Sequence, residues 1–379
     1  MRCPSLVSWV FFASAWSSAA VALPPSPETG WFATAGDLRI SVARNNRRER
    51  DGTSTGSSIP LLRVRQGAGY RFSSHWALYG RVALLVNQHT DQIAYHFDDT
   101  ITPGNLTLDN LYLAFTPRNG VELKLGRFQT AYELNSVIQD SLSRHDSSGT
   151  SVDWTNGASL TLGMNYKLHY IAQWNHRSGP GNGVADHPLL DYRHGGSRLM
   201  HYLALELPGR HGWSQLIADI SVIPDVLPSF TSIDVGQHDL VASTLRMARD
   251  VPLHGRVIFH PSLELGYQRR TPSRISLGLP GGNEASGHWG IVAGFDLQHV
   301  GPGNLGLQIA RVEEGYLLSP DYPANASSIE LRYTWQTSPR QKWDIRYRLR
   351  EDISRLAAQP IERVDHNLLL RYSLQFGSN

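Results

Sequence analysis

The sequence predicts an all-β protein, a transmembrane antiparallel β-barrel of about 16 strands with short periplasmic turns and long extracellular loops. Three observations carry that expectation. Apolar residues recur with period two in segment after segment, which is the pattern of strands with one apolar face. The connections between segments alternate between brief and long. After the first 22 residues no run approaches eighteen consecutive apolar residues, so no transmembrane helix is available. Strands that show lipid only every second residue average to the mildly polar hydropathy seen here.

Residues 1–22 read as a secretory signal peptide: Arg2, an apolar run from Leu6 to Trp16, then small residues ending in Ala20-Val21-Ala22. The run is too short to span a bilayer, and Cys3 lies ahead of it rather than at the cleavage site, which argues against a lipid anchor. Residues 23–379 then form the barrel domain. Cys3 is the only cysteine, so the exported chain builds neither a disulfide nor a thiolate metal site. The histidines are dispersed without ligand spacing, and no metal or cofactor is expected. A formal net charge of +2 gives no electrostatic footprint for nucleic acid.

Taken in order, the alternating segments begin with Leu38 to Val42, where Arg39 and Ser41 separate the apolar residues, then Leu62 to Phe72 and Trp76 to Leu84. Leu106 to Phe115, Val121 to Arg127, Ala158 to Gly163, Tyr166 to Trp174 and Leu199 to Leu207 follow. Next come Leu216 to Val222, Leu240 to Met247, Val257 to Tyr267 and Trp289 to Leu297. Leu305 to Ile309, Ile329 to Trp335, Trp343 to Leu349 and Leu368 to Phe376 complete the set. The brief connections are "SSH", "TPRNG", "GMN", "PGRHG", "DVPLHG", "HVGPGN" and "QTSPRQ". The long ones are Arg44 to Ser58, Asn87 to Asn105, Gln129 to Asn156, Asn175 to Arg198, Ile223 to Gln237, Arg269 to Gly287, Glu313 to Ala326 and Glu351 to Arg363. A water-soluble sandwich has no reason to keep one end tight and the other loose, whereas a barrel facing two compartments does.

In hydrocarbon every backbone N–H and C=O must be paired internally, so a spanning sheet closes on itself. Trp76, Trp174, Trp213, Trp289, Trp335 and Trp343 lie at or near strand ends, where interfacial aromatic girdles are expected. The opposite phase carries the charge. In "LRVRQGAGYRF" it holds Arg63, Arg65 and Arg71, and in "KWDIRYRLR" it holds Lys342, Asp344, Arg346, Arg348 and Arg350. Closure makes the first and last strands neighbours, so Arg39, Arg63, Arg65, Arg81, Arg332, Arg346, Arg348 and Arg371 are expected on one inner wall. Unpaired buried charge is too costly for a dry core, which implies a wet lumen. Two readings of the wall stay open: a tuned anion path, or arginines that only keep the lumen hydrated and pair with inward acids such as Glu122, Glu206, Glu330 and Asp344.

With strands, turns and faces placed, the chain resembles the Gram-negative trimeric outer-membrane porins through "LDNLYLAF", a short turn, and "VELKLGRF". The resemblance implies a water-filled channel in the cell outer membrane for passive diffusion of small ions and polar solutes, which the first reading of the basic wall would make anion-leaning. It also implies a homotrimer among outer-membrane lipid and lipopolysaccharide. In that family the strand ending in Gly-Arg is the fifth and the loop after it folds into the lumen. Here the pair is Gly126-Arg127, and the likeness adds Arg127 to the basic wall, re-aimed by a bulge at Gly126. The following loop offers Glu133, Asp140, Asp146 and Asp153 as acids to face the arginines across the constriction. "LLLRYSLQF" is similar to the family's terminal strand, although Gly377, Ser378 and Asn379 follow its closing Phe376. "LGRFQTAYEL" is similar to the phosphate-selective porins as well, without a lysine-rich loop.

Other classes are an outer-membrane barrel enzyme, a dedicated transporter for one solute, and an adhesion surface built on the loops. For an enzyme such as a phospholipase, "SRHDSSGT" supplies His145, Asp146, Ser147 and Ser148, but adjacency in sequence is not triad geometry. No enzyme activity is expected.

Overall fold

The computed structural model describes residues 29–95, 101–146, 152–163, 165–175, 198–209, 212–227, 238–269, 271, 273–275, 277–282 and 287–377. The expected signal peptide lies outside them. Sixteen strands form the wall. They are β1 (Gly30–Arg48), β2 (Ser54–Arg71), β3 (Trp76–Asn87), β4 (Asn105–Arg118), β5 (Val121–Phe128), β6 (Thr155–Leu162), β7 (Lys167–Asn175) and β8 (Arg198–Pro208). The second half comprises β9 (Gln215–Leu227), β10 (His238–Ala248), β11 (Ile258–Arg269), β12 (His288–Val300), β13 (Gly303–Val312), β14 (Ala326–Ser338), β15 (Gln341–Asp352) and β16 (Val364–Phe376). Two further strands of two residues, Ala94–Tyr95 and Val251–Pro252, sit in the connections after β3 and β10.

Each wall strand pairs antiparallel with its sequence neighbours, and β1 also pairs with β16 from Gly36↔Phe376 to Arg48↔Val364. The sheet is therefore closed, with every wall strand flanked on both sides, and strand edges that would recruit other chains are removed. Each segment expected from period-two alternation corresponds to one wall strand, overrunning it by a single residue at most.

The first hairpin departs from expectation. Arg44 to Ser58 reads as a loop, yet β1 and β2 stay paired through it as far as Arg48↔Ser54. Beyond the apolar band both faces of a strand meet water. The ladder then continues without any apolar signal to reveal it.

The barrel is inside-out. Ile40 and Val42 are 46% and 43% exposed on the outer face, while Arg63 and Glu330 are 3% exposed on the inner one. Outside, aromatic rings collect near the ends of neighbouring strands: Trp76 stacks on Phe115 at 4.4 Å, Trp335 on Trp343 at 5.6 Å, and Trp343 meets Tyr372 at 4.9 Å. Tyr267 and Trp289 make a corresponding contact near the opposite rim, at 4.7 Å. An apolar belt with aromatic rims and a charged interior suits lipid outside and water inside.

Candidate functional site

The inward phase of β1 to β4 assembles one half of a basic wall. Arg63 and Arg65 both hold Asp37, at 2.8 and 2.5 Å. Arg81 holds Asp109 at 2.7 Å, and Arg65 reaches the same carboxylate at 3.6 Å. Asp109 is available because the pairing of β3 with β4 slips between Arg81 and Val82, which leaves that residue as an inserted bulge facing the lumen. The other half comes from β14 and β15. Arg332 pairs with Glu330 at 2.7 Å, Arg348 pairs with Glu330 and with Asp140, and Arg346 donates to Asn367 at 2.7 Å.

Most of these arginines are thus matched by carboxylates of the same wall. Lys342 likewise meets Asp344 at 3.4 Å, and away from the wall Glu122 meets Lys124 at 3.1 Å and Glu206 meets His169 at 3.3 Å. Arg39 and Arg371 differ. They lie on β1 and β16, on either side of the closing seam, where Arg39 faces Ser373 and Arg371 faces Ser41. Neither forms an ion pair among the described residues, and the Nε of each is buried without a hydrogen-bond partner.

The loop after β5 enters the barrel. Gln129 starts it against the basic wall, accepting a hydrogen bond from Arg65 at 3.1 Å and one from Arg81. It then crosses to the far side. The N–H of Asn135 donates to Gln215 on β9 at 2.9 Å, and that of Val137 to Asp296 on β12 at 2.6 Å. Leu142 N–H donates to Glu264 on β11 at 2.9 Å, and Ser143 Oγ to Asp219 on β9 at 3.1 Å. Asp296 and Glu264 of the wall thereby cap backbone amides that the irregular loop leaves unpaired.

The four loop acids offered as ones to face the arginines across the constriction occupy different settings. Asp140 touches the basic wall directly, on Arg348 and 3.8 Å from Arg332, and these guanidiniums hold it well below the usual carboxylate range against the upward push of burial. Glu133 is turned to His145, at 2.6 Å. Burial alone would lower His145, but its bond to Glu133 and the charges of Asp321 and Asp146 push it up to about 10. Asp146 is buried inside the loop, where it accepts from Thr130 N–H at 2.8 Å and Thr155 Oγ1 at 3.0 Å. Asp153 is half-buried, and burial together with the charge of Asp146 raises its carboxyl. The loop must satisfy its own amides and hydroxyls first, and that requirement draws these acids away from the open lumen.

Arg127 is fully buried and turned inward. Its guanidinium lies 4.2 Å over the Trp154 ring, with Nε on Asn156 and Nη1 on the Leu108 carbonyl, each at 3.0 Å. The expected bulge is absent: β5 keeps register with β4 and β6 through Gly126. Gly126 instead takes φ +127°, which re-aims the next side chain without an inserted residue. A Cβ there would fall on the Leu111 carbonyl oxygen. Gly126→Val is expected to destabilise the barrel by about 2 kcal/mol or more, read as a lower temperature for loss of the compact electrophoretic form.

A second inward loop, residues 313–325 between β13 and β14, is one that sequence reasoning placed outside. Tyr316, Leu317, Leu318, Ser319 and Tyr322 are buried, and all but Ser319 join Leu142 of the first loop in an apolar cluster against β7 to β13. The signal was present as inward-phase glycines. A Cβ on Gly266 would lie 2.6 Å from the Tyr316 hydroxyl, on Gly290 2.7 Å from Leu142, and on Gly306 2.8 Å from Val137. Gly266 and Gly290 face each other across β11 and β12 and form one dent in the wall. Both loops thus fill one side of the barrel, and the arginine-bearing strands bound what remains.

No family model matches the chain, and no curated protein matches it. Among solved structures, the high-pH structure of Pseudomonas putida OprB is similar at 9% identity and a TM-score of 0.60, covering 92% of this chain and 94% of that one. The anion-selective porin from Comamonas acidovorans is similar at 11% identity and TM-score 0.52, covering 91% of this chain and 100% of that one. Salmonella typhi OmpF, in complex with daunomycin, gives 9% and 0.53, covering 90% and 97%. Agreement over nearly the whole of each chain at such low identity is agreement of architecture, and the fold of this chain is the closed sixteen-stranded barrel of the outer-membrane porins.

Proposed function

We propose that this protein is a water-filled channel in the outer membrane of a Gram-negative bacterium, through which small ions and polar solutes diffuse with a preference for anions. The observation that supports the preference most directly is the Arg39 and Arg371 pair, two inward cations without a carboxylate partner among the described residues. The remaining arginines hold water in the lumen while their charge is largely cancelled by Asp37, Asp109, Glu330 and Asp140. A named resemblance, to an anion-selective porin, points the same way. In this reading the chain assembles as a homotrimer, on the strength of the "VELKLGRF" likeness.

Purified protein in a planar bilayer is expected to give discrete conductance steps and, in a salt gradient, a zero-current potential of anionic sign. Cross-linking in mild detergent is expected to trap three copies. A folded protein without conductance would turn the reading toward an enzyme or an adhesin built on the barrel. For the enzyme, His145 and Asp146 are already engaged by Glu133 and Thr130, and Ser147 and Ser148 lie outside the described residues.

A further inference from the structure

We propose that the loop of residues 313–325 is a strap that holds the constriction loop, residues 129–146, against the β11 to β13 wall, and that it thereby sets the aperture. Tyr316, Ser319 and Asp321 are its positioning residues. The inference rests on the channel reading above and adds what determines the size of solute admitted.

Three contacts tie the strap to adjacent residues of the constriction loop. Tyr316 donates from its hydroxyl to the Leu142 carbonyl at 2.9 Å. Ser319 donates to the Ser141 carbonyl at 2.6 Å. Asp321 accepts from the Ser141 N–H at 3.0 Å. Donor and acceptor alike are buried, so each bond replaces one that water cannot readily supply. The strap is itself fastened, with Leu317 N–H on Gln268 at 2.7 Å and the Asp321 carbonyl accepting from Arg350 at 2.7 Å.

The wall is shaped for this sandwich. Gly266 and Gly290 leave room for the Tyr316 ring and for Leu142, and a bulky side chain at either position would push one loop inward. Asp140 lies immediately before the strapped residues and reaches the Arg348 and Arg332 side. A constriction loop freed at Ser141 and Leu142 would be drawn by the unpaired arginines into the space that solutes use. The strap opposes that collapse, and steady conductance depends on it.

The experiment compares the wild-type protein with a variant carrying Tyr316→Phe, Ser319→Ala and Asp321→Ala, both in planar bilayers. Losing the three bonds between the two loops, each worth about a factor of five, should raise the occupancy of reduced-conductance sublevels by roughly a hundredfold. Permeation of larger sugars in liposome swelling should fall with it. A folded variant that keeps a single steady level and the wild-type size limit overturns the strap. Should the triple variant not fold, Ser319→Ala alone decides the matter, since it deletes only one hydroxyl: sublevels about five times more frequent support the strap, and an unchanged trace rejects it. A wild-type protein without conductance would instead overturn the channel reading, so the two failures are separable.

Discussion

Replacing Arg39 and Arg371 together by Gln lowers the anion-to-cation permeability ratio by roughly two- to sixfold, measured as a shift of zero-current potential in a salt gradient. The magnitude follows from Coulomb's law: a unit charge about 8 Å from a passing ion in water is worth about 0.5 kcal/mol, less after screening at 0.1 M salt. Two such charges multiply. Neither arginine leaves an ion-pair partner behind, so the barrel should fold as before. The informative control is Lys124→Gln with Glu122→Gln, which deletes a 3.1 Å pair and no net charge, and should leave the ratio unchanged. A double Arg39 and Arg371 variant with wild-type selectivity would mean that solutes do not pass the closing seam. The effect should also fade as salt rises, because these charges sit in wet surroundings.

Gly290→Leu is expected to cut single-channel conductance by about half or more, while Gly290→Ala leaves it near the wild-type value. At this position a Cβ already comes within 2.7 Å of a Leu142 methyl, the end of a side chain that can turn aside. A full leucine leaves no such escape. Overpacking of this kind costs about 1–3 kcal/mol, and hydrogen bonding holds β12 on both sides, so the constriction loop is the part that yields. Its only free direction is toward the arginines. Unchanged conductance in a folded Gly290→Leu protein would place the loop away from the solute path.

The wall was readable from sequence because lipid imposes one rule on every strand. Each outward residue must be apolar, and the alternation of Leu38, Ile40 and Val42 or of Trp76, Leu78 and Val82 announces itself. The inward phase was equally plain at Arg63, Arg65, Arg346 and Arg348. What alternation does not encode is which charges cancel. Asp109 meets Arg81 only through a slipped register, and Asp140 meets Arg348 from the inward loop, 208 residues away in the chain. The strap was missed for a related reason: "EEGYLLSPDYPA" has the composition of an exposed loop, and only the inward glycines on β11 to β13 betray that something is seated there. A missing side chain is a weaker signal than a charged one.

The closing seam governs how the molecule comes into being. Arg47 and Asp365 touch across it while standing 318 residues apart, and the ring of Phe376 rests on Gly36, where a Cβ would lie 2.5 Å from it. No local hairpin can pre-form this contact. Until β16 arrives, β1 and β15 each present a row of bare amides and carbonyls, in a chain whose outer face is already apolar. Contacts of such high sequence separation are slow to make, and the waiting species is the one most prone to aggregate. The last strand of the wall in chain order is thus the one on which the lasting insertion of every earlier strand depends, and a chain cut short before Val364 should accumulate as misassembled material.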